Sequence, residues 1–299
     1  MTLLGDIGRD LFPLIWSGLI SGCLYAFGAL GLVMVFKCSR VVNFSHGNAA
    51  GLAAFLVFGF SGGWFLSLSW GQAVLLAATI SIMIAVLSYA VIAPIVFQSD
   101  LTSTIATLGI GLILQGSIQL LFGSDVVDLD LPMPKFSAVV MGLRVSGYDL
   151  AIVGTTVLCI GGLFLIIDRT RLGIAFRAVS SNPFAAEVCG LNMRSVHLFA
   201  WITAALLGVI AALLIVPTTF LSSTTVPSFM LNAFAAAVVG GFGSLPGAAV
   251  GGITVGILLN LFTFYVSPEF NNTFLLCLIM LTLNLFPNGL LQRRVGSRV

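Results

Sequence analysis

The run SVHLFAWITAALLGVIAALLIVPTTFLSSTTVPSFMLNAFAAAVVGGFGSLPGAAVGGITVGILLNLFTFYVSP, residues 195–268, contains no Asp, Glu, Lys or Arg. One membrane-spanning helix uses only about 20 residues, so a run of this length must fold back across a bilayer. Backbone groups in lipid must bond one another, and continuous apolar runs rather than alternating ones favour helices over a closed barrel. The stretch therefore predicts several membrane-spanning helices.

The rest of the chain has the same apolar character. Of its 299 residues, 59% are hydrophobic and 7% are charged, and the mean hydropathy is +1.15, whereas soluble proteins carry about 25% charged residues. A second run without charge covers residues 41–99. These features predict an all-α, polytopic transmembrane helical bundle that forms a single domain over residues 1–299.

Charges, prolines and glycines divide the chain into about eight or nine spans. The first is too long for the core of a signal peptide and is expected to stay in the protein. The seventh is short enough to be re-entrant. The spans lie near residues 11–36, 41–60, 73–97, 101–122, 149–167, 196–216, 230–242, 248–266 and 272–290.

The basic residues predict the orientation, because cytoplasmic loops carry an excess of Lys and Arg. If odd-numbered spans run inward, the cytoplasmic side holds Lys37, Arg40, Arg169, Arg171, Arg177, Arg194, Arg293, Arg294 and Arg298. The external side then holds only Arg9, Lys135 and Arg144. The amino terminus is therefore expected outside and the carboxyl terminus in the cytoplasm. Two loops are long: an external one at 123–148, with Asp125, Asp128 and Asp130, and a basic internal one at 168–194.

The internal loop contains the sequence NPFAAEVCG. Asn182 suits a helix N-cap, Pro183 suits the first helical position, and Gly190 suits a left-handed stop. The pattern predicts a short helix over residues 183–189, about 10 Å long and too short to span. Its apolar residues are Phe184, Ala185, Ala186 and Val188. Docking into a groove of a partner protein and lying on lipid headgroups fit this helix equally well.

Polar residues interrupt the apolar pattern in RVVNFSHGNAAG, residues 40–51. A Ser-His hydrolase is disfavoured, because Ser45 and His46 are neighbours that would point about 100° apart on a helix. A lone His at a helix mouth is more often a hydrogen-bonding group than a titrating one. His46 nevertheless remains the candidate for proton coupling, since no span carries an Asp, Glu, Lys or Arg in its interior.

Glycines recur at four-residue spacing, which allows close helix packing in lipid. The sets are Gly243, Gly247 and Gly251; Gly252 and Gly256; and Gly47 and Gly51. The stretch with Gly240, Gly241, Gly243 and Pro246 is too broken for a uniform helix, so a hinge or pathway element is the alternative there. In the fourth span, Gln115 and Gln119 end a row of residues at four-residue steps. Both are expected to face the bundle interior, where they either bond neighbouring helices, which is slightly favoured, or line a solute path.

The sequence argues against an enzyme. No Gly-Lys-Ser/Thr sequence is present for a nucleotide-binding P-loop, and no His, Cys, Asp or Glu set has the spacing of metal ligands. We therefore expect no cofactor in this chain. Any energy source that the protein uses is expected to be another polypeptide or an ion gradient.

Three motifs resemble one known family. VVNFSHG at residues 41–47, FRAVSSNPFAAEVCGLNMRSV at 176–196 and AAAVVGGFGSLPGAAVGG at 235–252 look like the branched-chain amino acid ABC transporter permeases of the LivH type. The resemblance covers nearly the whole chain in the same order. It implies a bacterial inner-membrane permease that works with a second related permease, two cytoplasmic ATPase subunits that bind ATP and an extracytoplasmic solute-binding protein. Membrane lipid is its other partner, and no nucleic acid is expected.

The resemblance also implies residue roles. The short helix would be a coupling helix seated in an ATPase cleft, with Phe184, Ala185 and Glu187 as its contact residues and Asn182, Pro183 and Gly190 forming its ends. Asn43, Ser45, His46 and Gly47 match the family's stretch at the inner end of the second span and would belong to the pathway or gate. The residue patterns described above add Gln115, Gln119, Gly240, Gly241 and Gly243 as candidates for it. Asn and His at residues 43–47 would bond helix-end backbone groups that lack partners.

One departure from the family concerns Asn48, which stands where the family often has Glu. Branched-chain or other neutral amino acids are the expected cargo, and urea or short-chain amides are the alternative. A passive channel for small neutral solutes and a scaffold subunit that transports nothing are rival functions.

Overall fold

The computed structural model describes residues 3–95, 99–123, 125–127, 136–140, 143–287 and 289–291, and the side chains of 3–10, 100, 140, 143 and 144 are outside the description. Most described residues are helical. The helices are α1 (Leu3–Ser39), α2 (His46–Ser61), α3 (Trp70–Ile92), α4 (Asp100–Phe122), α5 (Gly147–Arg169), α6 (Arg171–Ser181), α7 (Pro183–Val188), α8 (Met193–Ile215), α9 (Thr225–Gly240), α10 (Leu245–Tyr265) and α11 (Asn271–Leu285). Each predicted span falls on a helix.

Neutral caps start several helices in a sequence that offers few charges. Ser99 accepts a hydrogen bond from Thr102 N at the start of α4, at 3.4 Å, and Ser244 accepts one from Gly247 N at the start of α10, at 3.1 Å. Short polar side chains at these positions pair backbone N–H groups that a helix leaves unbonded. Ser and Asn therefore mark the helix starts here.

Six described helices are long and apolar enough to cross a membrane. They cover Leu11–Ser39, Trp70–Ile92, Leu101–Phe122, Gly147–Arg169, Met193–Thr218 and Leu245–Tyr265. Helices α2, α9 and α11 have 15 or 16 residues, fewer than the about 20 that a perpendicular span uses. The predicted count of eight or nine spans is therefore not confirmed, whereas a polytopic helical membrane protein is.

The exposed surface supports a membrane location. Large apolar side chains face outward on the long helices, including Leu75 at 71% exposure, Leu120 at 89% and Leu158 at 76%. In water an apolar exterior of this extent would drive association, whereas lipid or another membrane helix covers it without cost.

The chain forms two compact units. One comprises residues 30–131 and 160–231. Within it α2 is buried at nearly every position and packs against α3, α4 and α8. A cluster of buried side chains joins the surrounding helices: Val35, Val41, Tyr89, Ile92, Trp201 and Ala204. Helix α2 is thus the centre of this unit.

The other unit comprises residues 1–29, 132–159 and 232–299, and glycines pack its helices closely. A Cβ added at Gly22 would lie 2.6 Å from Ile253 Cα, and one at Gly252 would lie 2.6 Å from Ala26 Cα. Gly256 faces the backbone of Gly22 in the same crossing of α1 and α10. The prediction that Gly252 and Gly256 serve helix packing is confirmed, and Gly22 is their partner on α1.

The broken stretch before α10 is also confirmed. Helix α9 ends at Gly240, Gly241 has φ +97°, and Ser244 caps α10. Gly247 and Gly251 then face the α9 backbone at Gly240. The four-residue repeat that began at Gly243 is therefore a packing motif only within α10, because Gly243 lies in the turn.

Part of the long loop at 123–148 is a β-hairpin, which corrects the all-α prediction locally. Strands β1 (Ser137–Val140) and β2 (Leu143–Ser146) are antiparallel, with Ser137 opposite Ser146. Some residues named in the sequence analysis lie outside the described residues: Asp128 and Asp130 of the external loop, and Lys135, Arg293, Arg294 and Arg298, which were used for the orientation. Whether residues 1–299 form a single domain stays a prediction.

Candidate functional site

The segment predicted as a basic loop contains a helix that the sequence analysis missed. Helix α6 starts after Thr170, which accepts a hydrogen bond from Gly173 N at 3.1 Å, and it buries Gly173, Phe176 and Val179. These residues are three apart and share one face. The sequence signal for helix α6 was the three-residue spacing of these residues after a Thr cap. Leu172 and Ile174 obscured the buried face because they are also apolar but are exposed.

The predicted short helix is present as α7. Asn182 Oδ1 accepts a hydrogen bond from Ala185 N at 3.0 Å, and Pro183 is the first helical residue. At the other end Gly190 has φ +81° and its N–H donates to Glu187 O at 2.9 Å. Cap, proline and left-handed glycine act as predicted. The last helical residue is Val188, one before the predicted end.

Helix α7 presents an apolar pair to its surroundings. Phe184 is 76% exposed and Val188 is 73% exposed. They lie one turn apart on the same face. Ala185 and Glu187 are also exposed, whereas Ala186 packs inward. The exposed surface therefore includes Val188, which the sequence analysis counted as apolar but left out of the contact residues.

Helix α8 follows α7 almost directly. Asn192 Oδ1 accepts from Ser195 N at 3.3 Å and caps α8, which starts at Met193. Only residues 189–192 separate the two helices. A short, capped link of this kind leaves α7 little freedom to move independently of α8.

Arginines surround α7 in the sequence. Arg177 donates to Asp168 Oδ1 at 3.2 Å, and both side chains are more than half exposed. Arg169, Arg171 and Arg194 are exposed as well. An exposed pair of this kind contributes about 0–1 kcal/mol, so the charges affect what approaches α7 more than they stabilise the fold.

Removing the cap of α7 should loosen that helix. Asn182→Ala deletes the acceptor for Ala185 N and should cost about 1 kcal/mol, which speeds amide exchange over residues 183–188 about fivefold. Mass-spectrometric hydrogen exchange measures this. Asn182→Asp keeps an acceptor oxygen and should exchange like the unmodified chain; equal acceleration in both variants would contradict the capping role.

The polar junction between α1 and α2 is a hydrogen-bonded turn. Arg40 has φ +59° after the end of α1, and Asn43 Oδ1 accepts from Ser45 N at 3.1 Å and from Ser45 Oγ at 2.7 Å. Phe44 N donates to Thr107 Oγ1 of α4 at 3.1 Å. Asn43 and Ser45 are buried. Asn43 thus bonds backbone at a helix start, as predicted, and Ser45 bonds Asn43 rather than acting with His46.

His46 does not have the expected hydrogen-bonding role at Nε2. The residue is 4% exposed, and its Nε2 atom has no hydrogen-bond partner among the described residues. A Cβ added at Gly31 of α1 would lie 2.7 Å from His46 Cε1, and one at Gly208 of α8 would lie 3.0 Å from the same atom. The imidazole is therefore packed between two glycines, one on each neighbouring helix.

Gly47 allows close packing on another side of α2, because a Cβ there would lie 2.6 Å from Met230 Cγ. A Cβ at Gly51 would lie 3.5 Å from Val226 Cβ, which is ordinary van der Waals contact. The packing interpretation is therefore confirmed for Gly47 and not for Gly51.

The glutamines of α4 are placed differently from the prediction. Gln115 is half-buried and Gln119 is exposed on this chain, so an interior position is wrong for Gln119. The buried positions of α4 are Ser103, Thr107, Gly111, Leu114, Ile118 and Phe122. Four-residue steps drift by about 40° each on a helix, which carries the row away from the buried face by Gln119.

The predicted pathway residues are divided between the two units. Asn43, Ser45, His46, Gln115 and Gln119 belong to one, and Gly240, Gly241 and Gly243 to the other. Among the described residues, no group of three or more His, Cys, Asp or Glu side chains could hold a metal ion.

The arrangement defines a multi-pass membrane protein with a short exposed helix between two membrane helices. Over residues 14–283 the chain matches the family model described as the branched-chain amino acid transport system / permease component, and it belongs to that family. It is a transport permease of the LivH type and not an enzyme.

Curated relatives match the chain along most of its length. The high-affinity branched-chain amino acid transport system permease protein LivH of Escherichia coli K12 is 28% identical over 95% of this chain and 96% of its own. The probable LivH permease of Methanocaldococcus jannaschii is 28% identical over 96% and 94%. The solved structure of PsaBC from Streptococcus pneumoniae in complex with Fab covers 96% of this chain and 97% of its own, with a TM-score of 0.47 and 14% identity.

Proposed function

We propose that this chain is the membrane-spanning permease subunit of a binding-protein-dependent ABC importer in a bacterial inner membrane. It translocates branched-chain or other neutral amino acids by alternating access, driven by ATP that partner subunits bind. The observation that carries the proposal is α7: six residues, capped at both ends, with Phe184 and Val188 exposed and α8 following directly. The chain contains no Gly-Lys-Ser/Thr sequence of its own.

Helix α7 acts in this proposal as the coupling helix. Phe184 and Val188 enter an apolar cleft of one ATPase subunit, and Ala185 and Glu187 contact its rim. A second related permease contributes the other coupling helix for the second ATPase subunit. The solute-binding protein delivers cargo on the opposite side of the membrane.

The six long helices become nine spans if α2, α9 and α11 also cross. Each is about 24 Å long at 1.5 Å per residue, and flanking non-helical residues, such as 40–45 before α2, supply the remaining length. An odd count places the termini on opposite sides, as the basic residues predict. Helices α6 and α7 are then cytoplasmic.

The orientation is open to a direct test with a native thiol. Cys189 is exposed at the end of α7. In a variant whose other exposed thiol, Cys277, is replaced by Ser, a membrane-impermeant maleimide should label inverted vesicles and leave intact spheroplasts unlabelled. Cys189→Ser should abolish the labelling of inverted vesicles. Labelling of intact spheroplasts would place α7 outside and contradict the coupling role.

Asn48 favours a second cargo class, urea or short-chain amides. Its Oδ1 is buried without a hydrogen-bond partner among the described residues, and residues 41–95 around it carry no charge. An uncharged acceptor in a segment without charge suits a neutral N–H donor, whereas the charge of an ammonium group would find no counter-charge there.

Deleting the gene and measuring uptake of radiolabelled L-leucine, urea and acetamide tests the function and decides the cargo. Loss of L-leucine uptake, restored by a plasmid copy, supports the amino-acid permease. Loss of urea or acetamide uptake alone assigns the second class. Unchanged uptake of all three contradicts import of either class.

A further inference from the structure

The imidazole of His46 lies where three helices of one unit meet. Helix α1 contributes Gly31, α8 contributes Gly208, and α2 carries the ring itself. A Cβ added at Gly208 would also lie 3.3 Å from Ala50 Cβ, so α2 and α8 are in close contact around the ring. Glycine at both positions makes room for the ring, because a side chain at Gly31 would overlap the ring and one at Gly208 would crowd it.

A hydrogen bond at Nε2 does not account for a histidine in this position. Nε2 is buried and has no partner among the described residues. A buried polar atom without a partner lowers stability, and an aliphatic side chain would fill apolar space without that penalty. The ring nevertheless has two properties that an aliphatic chain lacks: it is planar, and it is rigid beyond two torsions.

The neighbouring helix is the one that continues from α7. Gly208 lies about four turns along α8 from its first residue, Met193. Close-packed helices transmit displacement because their interiors are dense and scarcely compressible. A movement of α8 therefore presses on the ring at Gly208, and the ring in turn presses on α1 at Gly31.

We propose that His46 is a positioning residue for transport: its ring, seated between Gly31 and Gly208, passes the displacement of α8 to α1 and α2. The inference rests on the proposed function, because it needs α7 to be moved by an ATPase. It assigns to His46 a mechanical role in place of solute contact or proton transfer, and it adds Gly31 and Gly208 to the functional residues.

The test uses the complete transporter in proteoliposomes, with radiolabelled L-leucine and measured ATP hydrolysis. His46→Ala should lower L-leucine uptake per ATP hydrolysed about tenfold or more, as expected when a coupling free energy is lost. ATP hydrolysis itself should continue. Phe44→Ala, at a half-exposed position of the same junction, is the matched control and should keep the normal ratio. A normal ratio in His46→Ala overturns the proposal.

A second pair of variants separates contact from coupling. Gly31→Ala should lower the melting temperature because its methyl group overlaps the ring, whereas Gly116→Ala, where an added Cβ meets nothing within 4 Å, should not. Combining Gly31→Ala with His46→Ala removes the overlap, so the melting temperature should recover while the uptake per ATP stays low. If the melting temperature of the double variant does not recover, the packing of the ring against Gly31 is contradicted. If its uptake per ATP becomes normal, the role of the ring in coupling is contradicted.

The unmodified transporter provides the distinguishing control. If it imports no L-leucine with ATP, the branched-chain amino acid import on which the inference rests fails before any variant is compared. If it imports L-leucine and His46→Ala does so with equal efficiency, only the role of His46 fails.

Discussion

Phe184→Asp should strongly weaken the association of this chain with its ATPase subunits. Phe184 is 76% exposed on α7 and provides the largest apolar surface of that helix. A carboxylate in its place would be buried without a partner in an apolar cleft. Loss of such an anchor costs about 2–4 kcal/mol, or a roughly 30- to 1,000-fold weaker affinity. Co-purification and titration of the detergent-solubilised permease with ATPase subunits measure the loss.

The matched control is Phe220→Asp. Phe220 is 67% exposed and precedes α9, on the external side in the proposed topology, so the same substitution there should leave ATPase binding unchanged. Normal binding by Phe184→Asp, or equal loss in both variants, would contradict docking through α7.

Gly256→Leu should prevent stable folding of the unit that contains the crossing of α1 and α10. A side chain at Gly256 would overlap the backbone of Gly22 and Gly18. Backbone atoms cannot change rotamer to relieve the overlap as a side chain can, so the helices must separate. We expect this to lower the free energy of unfolding by about 3 kcal/mol or more. The expected result is little folded protein in membranes and a lower melting temperature for what remains.

Gly154→Leu is the control for that substitution. Gly154 lies in α5 of the same unit, and an added Cβ there meets nothing within 4 Å. This variant should accumulate and melt like the unmodified chain. If Gly256→Leu did the same, the close crossing of α1 and α10 would be wrong.

Local chemistry explains what could be predicted from the sequence. Asn182, Pro183 and Gly190 each satisfy a need of one helix end, so three residues were enough to place α7 to within one residue. The glycine pair Gly252 and Gly256 likewise predicts packing, because few other residues allow backbones to approach so closely.

Burial and contacts that depend on how distant parts of the chain pack together could not be predicted from the sequence. Gln119 was expected inside because an amide is costly in lipid, but helical drift places it on the exposed side. Which of the apolar residues of α6 would be buried depended on neighbours far along the chain. The imidazole of His46 packs between Gly31 and Gly208, and no local sequence pattern connects these glycines with the histidine.

Uphill uptake of L-leucine by proteoliposomes tests most directly whether transport by this chain depends on ATP hydrolysis by partner subunits. One preparation contains the chain alone, and the other contains it with its second permease, ATPase subunits, binding protein and ATP. We expect accumulation above the external concentration only in the second, and its loss with Phe184→Asp. Accumulation by the chain alone would contradict the proposal.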